Sequence, residues 1–321
     1  MIEVVLHAGP QGPVAETRLE DLKESITRAQ TTVWVDVVDP TAEEIARIGE
    51  TFGFHHLALE DVERGGQRPK IDPYDDYQYI VFYGLTVDGG RCQHHQVDIF
   101  VGKHYMVTFH DGRLPVIAVT ATRWRAHVRK LDSHGPGFLL YSLLDAIVDG
   151  YFPVLDEIVD RADDLEETIV LHGRPGLQAE ILRLRRELLM IRRVTGPERD
   201  VVNELMRRDP PLFGQKEITY FQDVYDHLLR ITDTVDIYRD LLASLLDANL
   251  SMISYSLNIV VKRLTSASII LMSIAIVAGV YGMNYDLWPA VEGHAGFFLA
   301  LAFMAVLGLG EFVIFRHIDW L

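Results

Sequence analysis

The sequence predicts an α+β domain, a long helical stalk and two C-terminal transmembrane helices. Strand and helix patterns are mixed over residues 1–135, whereas only helical patterns occupy residues 136–263. Beyond residue 263 charge almost disappears. The charged residues there are Asp286, Glu292, Glu311, Arg316 and Asp319. These observations divide the chain into a water-soluble body and an apolar tail.

Strands and helices of the first domain follow from local patterns. Four runs rich in β-branched and aromatic residues predict strands, at residues 33–39, 78–87, 96–102 and 105–110, the last two as a hairpin. Thr41 and Glu44 have the spacing of a capping box, which opens a helix that extends to about Phe52. Residues 114–131 predict another helix.

Three long helical segments follow. The first covers residues 137–172 and the second residues 176–208, each closed by a segment that contains proline. The third begins near Lys216 and meets no glycine before Gly279 and no proline before Pro289. It therefore predicts a continuous helix of about 67 residues, roughly 100 Å long.

Aspartates recur along this third helix at intervals of seven residues. They are Asp226, Asp233, Asp240 and Asp247. A seven-residue spacing drifts by only about 20° per step, so the four carboxylates form one stripe. A second face is apolar, with Val224, Leu228, Ile231, Val235, Leu242 and Leu246. The stripe is either a solvated face or, where several copies surround an axis, a series of acidic rings.

Two segments of the tail are long and apolar enough to cross a membrane. Residues 264–283 contain no Asp, Glu, Lys or Arg, and residues 295–315 contain only Glu311. A 20-residue helix is about 30 Å long, which matches a bilayer core. Buried core helices of this length usually carry a polar stripe, so the alternative of two core helices is disfavoured. Glu311 is expected to reach the interface or to pair with Lys262 or Arg263.

The flanking charges predict the orientation of these spans. Lys262 and Arg263 precede the first span and Arg316 follows the second, while the outer loop, residues 284–294, has no Lys or Arg. By the positive-inside rule both termini, including the tail at residues 316–321, are cytoplasmic. The N-terminus has no signal-peptide pattern. We therefore expect a multi-pass protein of the cell (inner or plasma) membrane.

Charge and chemistry limit the function. The chain has 30 Lys and Arg against 46 Asp and Glu, a formal net charge of −16, which excludes a general nucleic-acid binder and suits cationic partners. Two spans cannot enclose a water-filled path alone, so a transported solute would require an oligomer. A membrane-anchored enzyme or sensor would need a catalytic constellation, and Cys92 beside His94 and His95 is a weak candidate.

The helix and its outer end carry a family resemblance. Residues 219–284 include YFQDVYDHL, RDLLASLLD and, at the end of the first span, Tyr281-Gly282-Met283-Asn284. Further matching segments are residues 67–82, the DPPL of residues 209–212 and the terminal Trp320-Leu321. In these segments the chain resembles the CorA family of magnesium channels. The resemblance implies a funnel-shaped homopentamer in which the first span lines the pore.

The resemblance also implies roles for individual residues. Gly282, Met283 and Asn284 match the selectivity filter; the pore-lining positions are Asn258, Leu264, Met272 and Asp247. Asp223 matches a regulatory Mg²⁺ site between subunits, and Asp88 is the candidate partner carboxylate. The family's usual acidic loop motif is replaced by Trp288-Pro289-Ala290, so an outer acidic ring would use Asp286 and Glu292. The usual proline in mid-span is also absent.

The implied function is uptake of Mg²⁺ driven by the membrane potential and gated by cytosolic Mg²⁺, with Co²⁺ and Ni²⁺ as open alternatives. A divalent ion that crosses about 100 mV gains roughly 4.6 kcal/mol. No GxxxxGK phosphate loop is present, and no organic cofactor is expected. Mg²⁺ serves as cargo and regulator, and the partners are further copies of the chain and the lipid bilayer. A proton-linked Zn²⁺ transporter of the same fold is the main alternative.

Overall fold

The computed structural model describes residues 2–9, 12–13, 22, 32–126, 135–172, 176–207, 215–283 and 294–320. It consists of two compact units, Met1–Ser244 and Leu245–Leu321. We call the first the α+β unit and the second the span unit. The boundary between them falls inside the longest helix.

Seven strands form one mixed sheet in the described part of the α+β unit. They are β1 (Ile2–Gly9), β2 (Gly12–Pro13), β3 (Thr32–Val38), β4 (Lys70–Pro73), β5 (Tyr77–Asp88), β6 (Arg91–Gly102) and β7 (Tyr105–His110). Their order across the sheet is β2-β1-β3-β7-β6-β5-β4. Only β3 and β7 pair in parallel among these strands. The predicted hairpin is confirmed by the antiparallel pairing of β6 with β7.

One face of the sheet carries the hydrophobic core. Val33, Val35 and Val37 of β3 lie on this face and are fully buried. Phe54 stacks on Phe100 of β6 with 4.1 Å between ring centroids, so the chain after the first helix is anchored to the sheet. Burial of side chains of this size contributes about 1.5–3 kcal/mol each.

Two short helices cover this core, α1 (Ala42–Phe52) and α2 (His56–Arg64). The capping box of α1 is confirmed, because Glu44 N–H donates to Thr41 Oγ1 at 3.2 Å and Thr41 N–H donates to Glu44 Oε2 at 3.1 Å. The sequence did not predict α2. Its N-cap is His55, whose Nδ1 accepts from Leu57 N–H at 3.3 Å, and histidine is an uncommon capping residue.

Four further helices complete the body of the α+β unit. They are α3 (Pro115–Ala126), α4 (Pro136–Asp149), α5 (Tyr151–His172) and α6 (Leu177–Arg207). The single helix expected over residues 137–172 is therefore wrong. The chain breaks at Gly150, and Pro153 explains the break, because its ring would clash with the carbonyl of Asp149 in a continuous helix. In the first turn of α5 the same proline is tolerated.

A fully buried carboxyl group joins three of these elements. Glu198 of α6 accepts from Tyr83 N–H at 2.9 Å and lies 2.9 Å from the Tyr151 hydroxyl. Burial raises the pKa of Glu198 to about 8. The Tyr151 hydroxyl, with one hydrogen, also contacts the Tyr83 carbonyl, so a protonated Glu198 supplies the hydrogen that completes the network.

The predicted 67-residue helix is confirmed as α7 (Gln215–Tyr281). In the α+β unit its buried apolar residues are Phe221, Val224, Leu228, Ile231, Val235 and Leu242. Leu246, predicted on this face, is half-buried. The aspartates of the seven-residue stripe are exposed. Arg192 Nε of α6 bonds Asp236 Oδ1 at 3.1 Å and helps hold α7 to its own unit.

Helix α8 (His294–His317) follows in the span unit. Among the residues that the structure describes, three helical segments are long and apolar enough to cross a membrane: Pro136–Ile169, Ile218–Tyr281 and Gly296–His317. The most apolar window of the first is 56% buried inside the protein, against 6% and 11% for the other two. The first is therefore a core segment, whereas the other two contain the predicted spans.

Candidate functional site

The part of α7 in the span unit has one face covered by α8. Ser266 is fully buried, and Ile270, Ser273, Ile274 and Val277 are half-buried. At 100° per residue these five positions fall within about 100° of one another. They define the covered face of α7.

The predicted pore positions lie on the opposite side of the same helix. They are Asp247, Asn258, Leu264, Met272 and Gly282, and all five are exposed. By the same rotation they fall within about 120° of one another, and this sector is centred roughly 190° from the covered face. Leu264 is 68% exposed and Met272 is 62% exposed. We call this sector the uncovered face.

The two helices of the span unit meet through glycine and one polar pair. A methyl group at Gly308 of α8 would lie 3.1 Å from Ile274 Cδ1, so the absence of a side chain there permits close packing. Glu311 lies one turn after Gly308 in α8, and its Oε2 accepts a hydrogen bond from the hydroxyl of Ser273 in α7 at 2.7 Å. The expected partners of Glu311, Lys262 or Arg263, are therefore wrong, because α8 turns this carboxyl toward the middle of the first span.

The C-terminal end of α7 unwinds at the predicted filter motif. Gly282 N–H donates to the Ala278 carbonyl at 2.9 Å, and Met283 N–H donates to the Val280 carbonyl at 3.3 Å. The hydrogen bond from Met283 spans three residues instead of four, as in a 3₁₀-helix, so the last turn is tighter than an α-helical turn. Asn284, Asp286 and Glu292 lie outside the described residues, so their roles stay predictions.

A second polar cluster lies in the α+β unit, between α4 and α7. Ligand atoms of Asp145, Asp149 and His227 lie within 4.8 Å of one another. His227 Nδ1 is 3.4 Å from Asp149 Oδ1, and His227 Nε2 is 4.0 Å from Asp223 Oδ1. The predicted regulatory residue Asp223 thus borders a group of possible metal ligands.

Electrostatics within this cluster favour a bound cation. Burial, followed by the charges of Asp149 and Asp223, raises the pKa of Asp145 to about 6. Burial together with Asp145 and Asp223 also raises the pKa of Tyr141 to about 12. The charges of Asp149 and Asp223 thus oppose ionisation of Asp145, and a divalent cation between these carboxylates would remove that repulsion.

The sequence analysis missed Asp145, Asp149 and His227. Asp145 and Asp149 are four residues apart, a spacing that places both on one helix face, and His227 is four residues from Asp223. Those two spacings were visible in the sequence. The packing of α4 against α7, which brings the pairs together, was not.

Asp88, the predicted partner of Asp223, lies elsewhere in the fold. It ends β5 at the turn into β6, where it pairs with Arg91 across the hairpin and is exposed. Gln93 Nε2 donates to Asp88 Oδ2 at 3.4 Å. A contact between Asp88 and Asp223 of another copy stays a prediction.

The chain combines an α+β domain, a helix of 67 residues whose C-terminal part is apolar, and a second apolar helix. These features define a membrane protein with two spans. The family model described as "CorA-like Mg2+ transporter protein" matches residues 29–317. The chain is 34% identical over 296 residues to the cobalt/magnesium transport protein CorA of Thermotoga maritima, covering 91% of this chain and 84% of that protein.

Two further similarities concern Methanocaldococcus jannaschii. The chain is 26% identical over 328 residues to its cobalt/magnesium transport protein CorA, covering 100% of both. The complete structure of the CorA magnesium transporter from this organism matches with a TM-score of 0.84 and 23% identity, covering 100% of this chain and 99% of that one. The chain belongs to the CorA-like Mg²⁺ transporter family. It is a membrane transporter of divalent cations, not an enzyme.

Proposed function

We propose that this protein is a Mg²⁺ channel whose uptake is driven by the membrane potential, with Co²⁺ and Ni²⁺ as further candidate ions. The observation that carries the proposal is the uncovered face of α7. The predicted pore residues Asn258, Leu264 and Met272 lie on it, opposite α8. In a homopentamer these faces would surround a common axis.

The filter of this channel would consist of Gly282, Met283 and Asn284. Mg²⁺ releases its water reluctantly, so a filter that binds the hydrated ion avoids the cost of dehydration. Asparagine offers a carbonyl acceptor and amide donors without a charge that would trap a divalent ion. Asp286 and Glu292 would form an outer acidic ring that concentrates cations.

Closure would take place at the two exposed apolar positions, Leu264 and Met272. Rings of such side chains close a narrow pore by excluding water, without a moving plug. Asp247 and Asn258 precede these positions along α7 and would hold cations at the cytosolic side. Both termini would be cytoplasmic, in agreement with the positive charges at Lys262, Arg263 and Arg316.

Gating would depend on the acidic cluster of the α+β unit. Asp223 lies beside Asp145, Asp149 and His227, and like charges there favour separation unless Mg²⁺ bridges them. A carboxylate from a second subunit, for which Asp88 is the candidate, would complete the site. High cytosolic Mg²⁺ would then hold the subunits together with the pore closed.

Ion flux into proteoliposomes tests the transport proposal. The purified protein should carry Mg²⁺ along an imposed membrane potential, in the absence of a pH gradient, and Co²⁺ and Ni²⁺ should compete. An absence of Mg²⁺ flux, or flux that requires a proton gradient, would contradict it.

The second candidate, a proton-linked Zn²⁺ transporter, is favoured by one observation. His227 brings an imidazole into the acidic cluster, and nitrogen ligands suit Zn²⁺ better than Mg²⁺. Zn²⁺ flux that rises with an inward proton gradient and exceeds Mg²⁺ flux would establish this alternative.

Reversal of charge at Asp223 tests the gating proposal. The Asp223→Lys channel should remain open at cytosolic Mg²⁺ concentrations that close the unmodified channel. Asp200→Lys, on the exposed surface of α6, is the matched control and should close normally. Normal closure of Asp223→Lys would exclude this residue from the Mg²⁺ sensor.

A further inference from the structure

We propose that the Glu311 carboxyl and the Ser273 hydroxyl form an interhelical clamp that fixes the rotation of the pore helix in the closed channel. Glu311 would then be a positioning residue, because it acts on the pore through α7. This inference rests on the proposed function, since it assigns Met272, next to Ser273, to the pore constriction.

The contact itself is a hydrogen bond between half-buried groups. Ser273 Oγ lies 2.7 Å from Glu311 Oε2, a typical separation for an O–H···O bond. The same hydroxyl lies 3.0 Å from the Ile270 carbonyl of its own helix. Glu311 can therefore accept the serine hydrogen, or donate its own to Ser273 while the serine bonds Ile270.

A carboxyl group in this position strongly constrains α8. Glu311 is the only Asp, Glu, Lys or Arg between His294 and Phe315. An acid in a membrane span is unfavourable unless it faces a polar partner. A rotation of α8 that turned Glu311 away from Ser273 would remove this polar partner. The pair therefore selects one rotation of α8 against α7.

Gly308 allows the two helices to approach closely near this hydrogen bond. Gly308 lies one helical turn before Glu311, and a methyl group there would come within 3.1 Å of Ile274 Cδ1. Ile274 is the neighbour of Ser273 in α7. The glycine thus lets the helix backbones approach at the position where the carboxyl and hydroxyl bond.

The rotation fixed by the clamp determines where Met272 points. Met272 is adjacent to Ser273 and about 100° away around α7. With Ser273 held against α8, Met272 and Leu264 stay on the uncovered face. A rotation of α7 relative to α8 that carried Met272 away from the pore axis would have to separate Ser273 from Glu311. The clamp therefore stabilises the closed arrangement.

The test compares four variants of the full-length protein in proteoliposomes: Glu311→Leu, Ser273→Ala, Glu311→Gln and the control Ser266→Ala. Loss of the bond should raise the Mg²⁺ concentration needed for half-closure by roughly 2- to 10-fold in the first two. Their maximal flux without cytosolic Mg²⁺ should stay at the unmodified level. Glu311→Gln retains a hydrogen-bonding amide and should close normally. Ser266 donates to its own helix, at the Lys262 carbonyl, so its loss should not affect closure.

A thermal double-mutant cycle tests the clamp without ion flux. In detergent, the fall in Tm for Glu311→Leu combined with Ser273→Ala should be smaller than the two single falls together, because both remove one bond. Additive falls in Tm, an unchanged half-closing concentration in Glu311→Leu, or a Glu311→Gln channel that behaves like Glu311→Leu would each overturn the clamp. Absence of flux in the unmodified protein would instead overturn the proposed function and leave the thermal cycle to decide the contact.

Discussion

Helix α7 buries one apolar face in the α+β unit and exposes apolar side chains on most sides in the span unit. Leu228 and Ile231 are fully buried, whereas Leu271 is 68% exposed and Ile276 is 61% exposed. In the first region the aspartates at intervals of seven residues face solvent. One continuous helix thus carries the surface of a water-soluble protein and then that of a membrane protein.

The two units differ in how they accommodate charged and polar side chains. The α+β unit can place several charges close together, as at Asp145, Asp149 and Asp223, because water and counter-ions moderate their repulsion. The two predicted spans, residues 264–283 and 295–315, contain Glu311 as their only Asp, Glu, Lys or Arg, so a polar contact between them is expected to have a specific role. The bond between Ser273 and Glu311 is such a contact, and Asn284 is predicted to be a further polar group with a specific role.

The largest expected effect is at the proposed filter, which follows the first span. Asn284→Ala removes the amide that would contact the hydrated ion, so Mg²⁺ flux should fall by on the order of tenfold or more. Flux into proteoliposomes measures it. Leu301→Ala, at a 52% exposed position of α8, is the control and should conduct normally. An Asn284→Ala channel with unchanged flux and ion preference would remove Asn284 from the filter.

The next effect concerns closure by apolar side chains. Met272→Asn should hydrate the constriction and produce a leak of roughly severalfold at cytosolic Mg²⁺ concentrations that close the unmodified channel. Met272→Leu retains the apolar surface and should close normally. If the two variants closed equally well, the constriction would not depend on the exclusion of water at this position.

A smaller effect is expected from the acidic cluster of the α+β unit. Asp149→Asn removes a carboxylate that lies 3.4 Å from His227, and should raise the half-closing Mg²⁺ concentration by about 3- to 10-fold. Asp88→Asn should act similarly if Asp88 is the partner from a second subunit. Flux titrations with cytosolic Mg²⁺ measure both, with Asp200→Asn as the control. An effect of Asp149→Asn alone would place the sensor within one chain.

The smallest effect is on the stability of the α+β unit. Since burial raises the pKa of Glu198 to about 8 from 4.5, the folded protein retains a proton that the unfolded chain releases between these values. The resulting stabilisation is fully present below pH 4.5 and is lost as the pH rises through 8. The Tm should therefore fall by a few degrees between about pH 5 and pH 8.

Glu198→Gln should remove this part of the pH dependence, because the amide can still accept from Tyr83 N–H and does not ionise. Thermal unfolding in detergent over the same pH range measures the difference. Glu180→Gln, at an exposed position of α6, should retain the pH dependence of the unmodified protein. A Glu198→Gln variant with an unaltered pH profile would contradict the assignment.

Helices and strands with strong local sequence signals were predictable from the sequence. The capping box of α1, the hairpin of β6 and β7 and the full length of α7 were all confirmed. Short elements whose signals depend on partners were missed, namely β1, β2, β4 and α2. Ile2–Gly9 becomes a strand because it pairs with β3, and this pairing has no local signature.

Some features of the candidate site were likewise predictable from the sequence, and others were not. Leu264, Met272 and Gly282 lie on one side of α7. This follows from their spacing alone, because a helix fixes the angle between positions. The sequence likewise determined the two long apolar spans, since unpartnered charged side chains are unfavourable in a bilayer. Which face α8 covers, the bond between Ser273 and Glu311, and the approach of Asp145 to Asp223 required the tertiary structure. Each joins residues far apart in the chain, and only packing brings such groups within bonding distance.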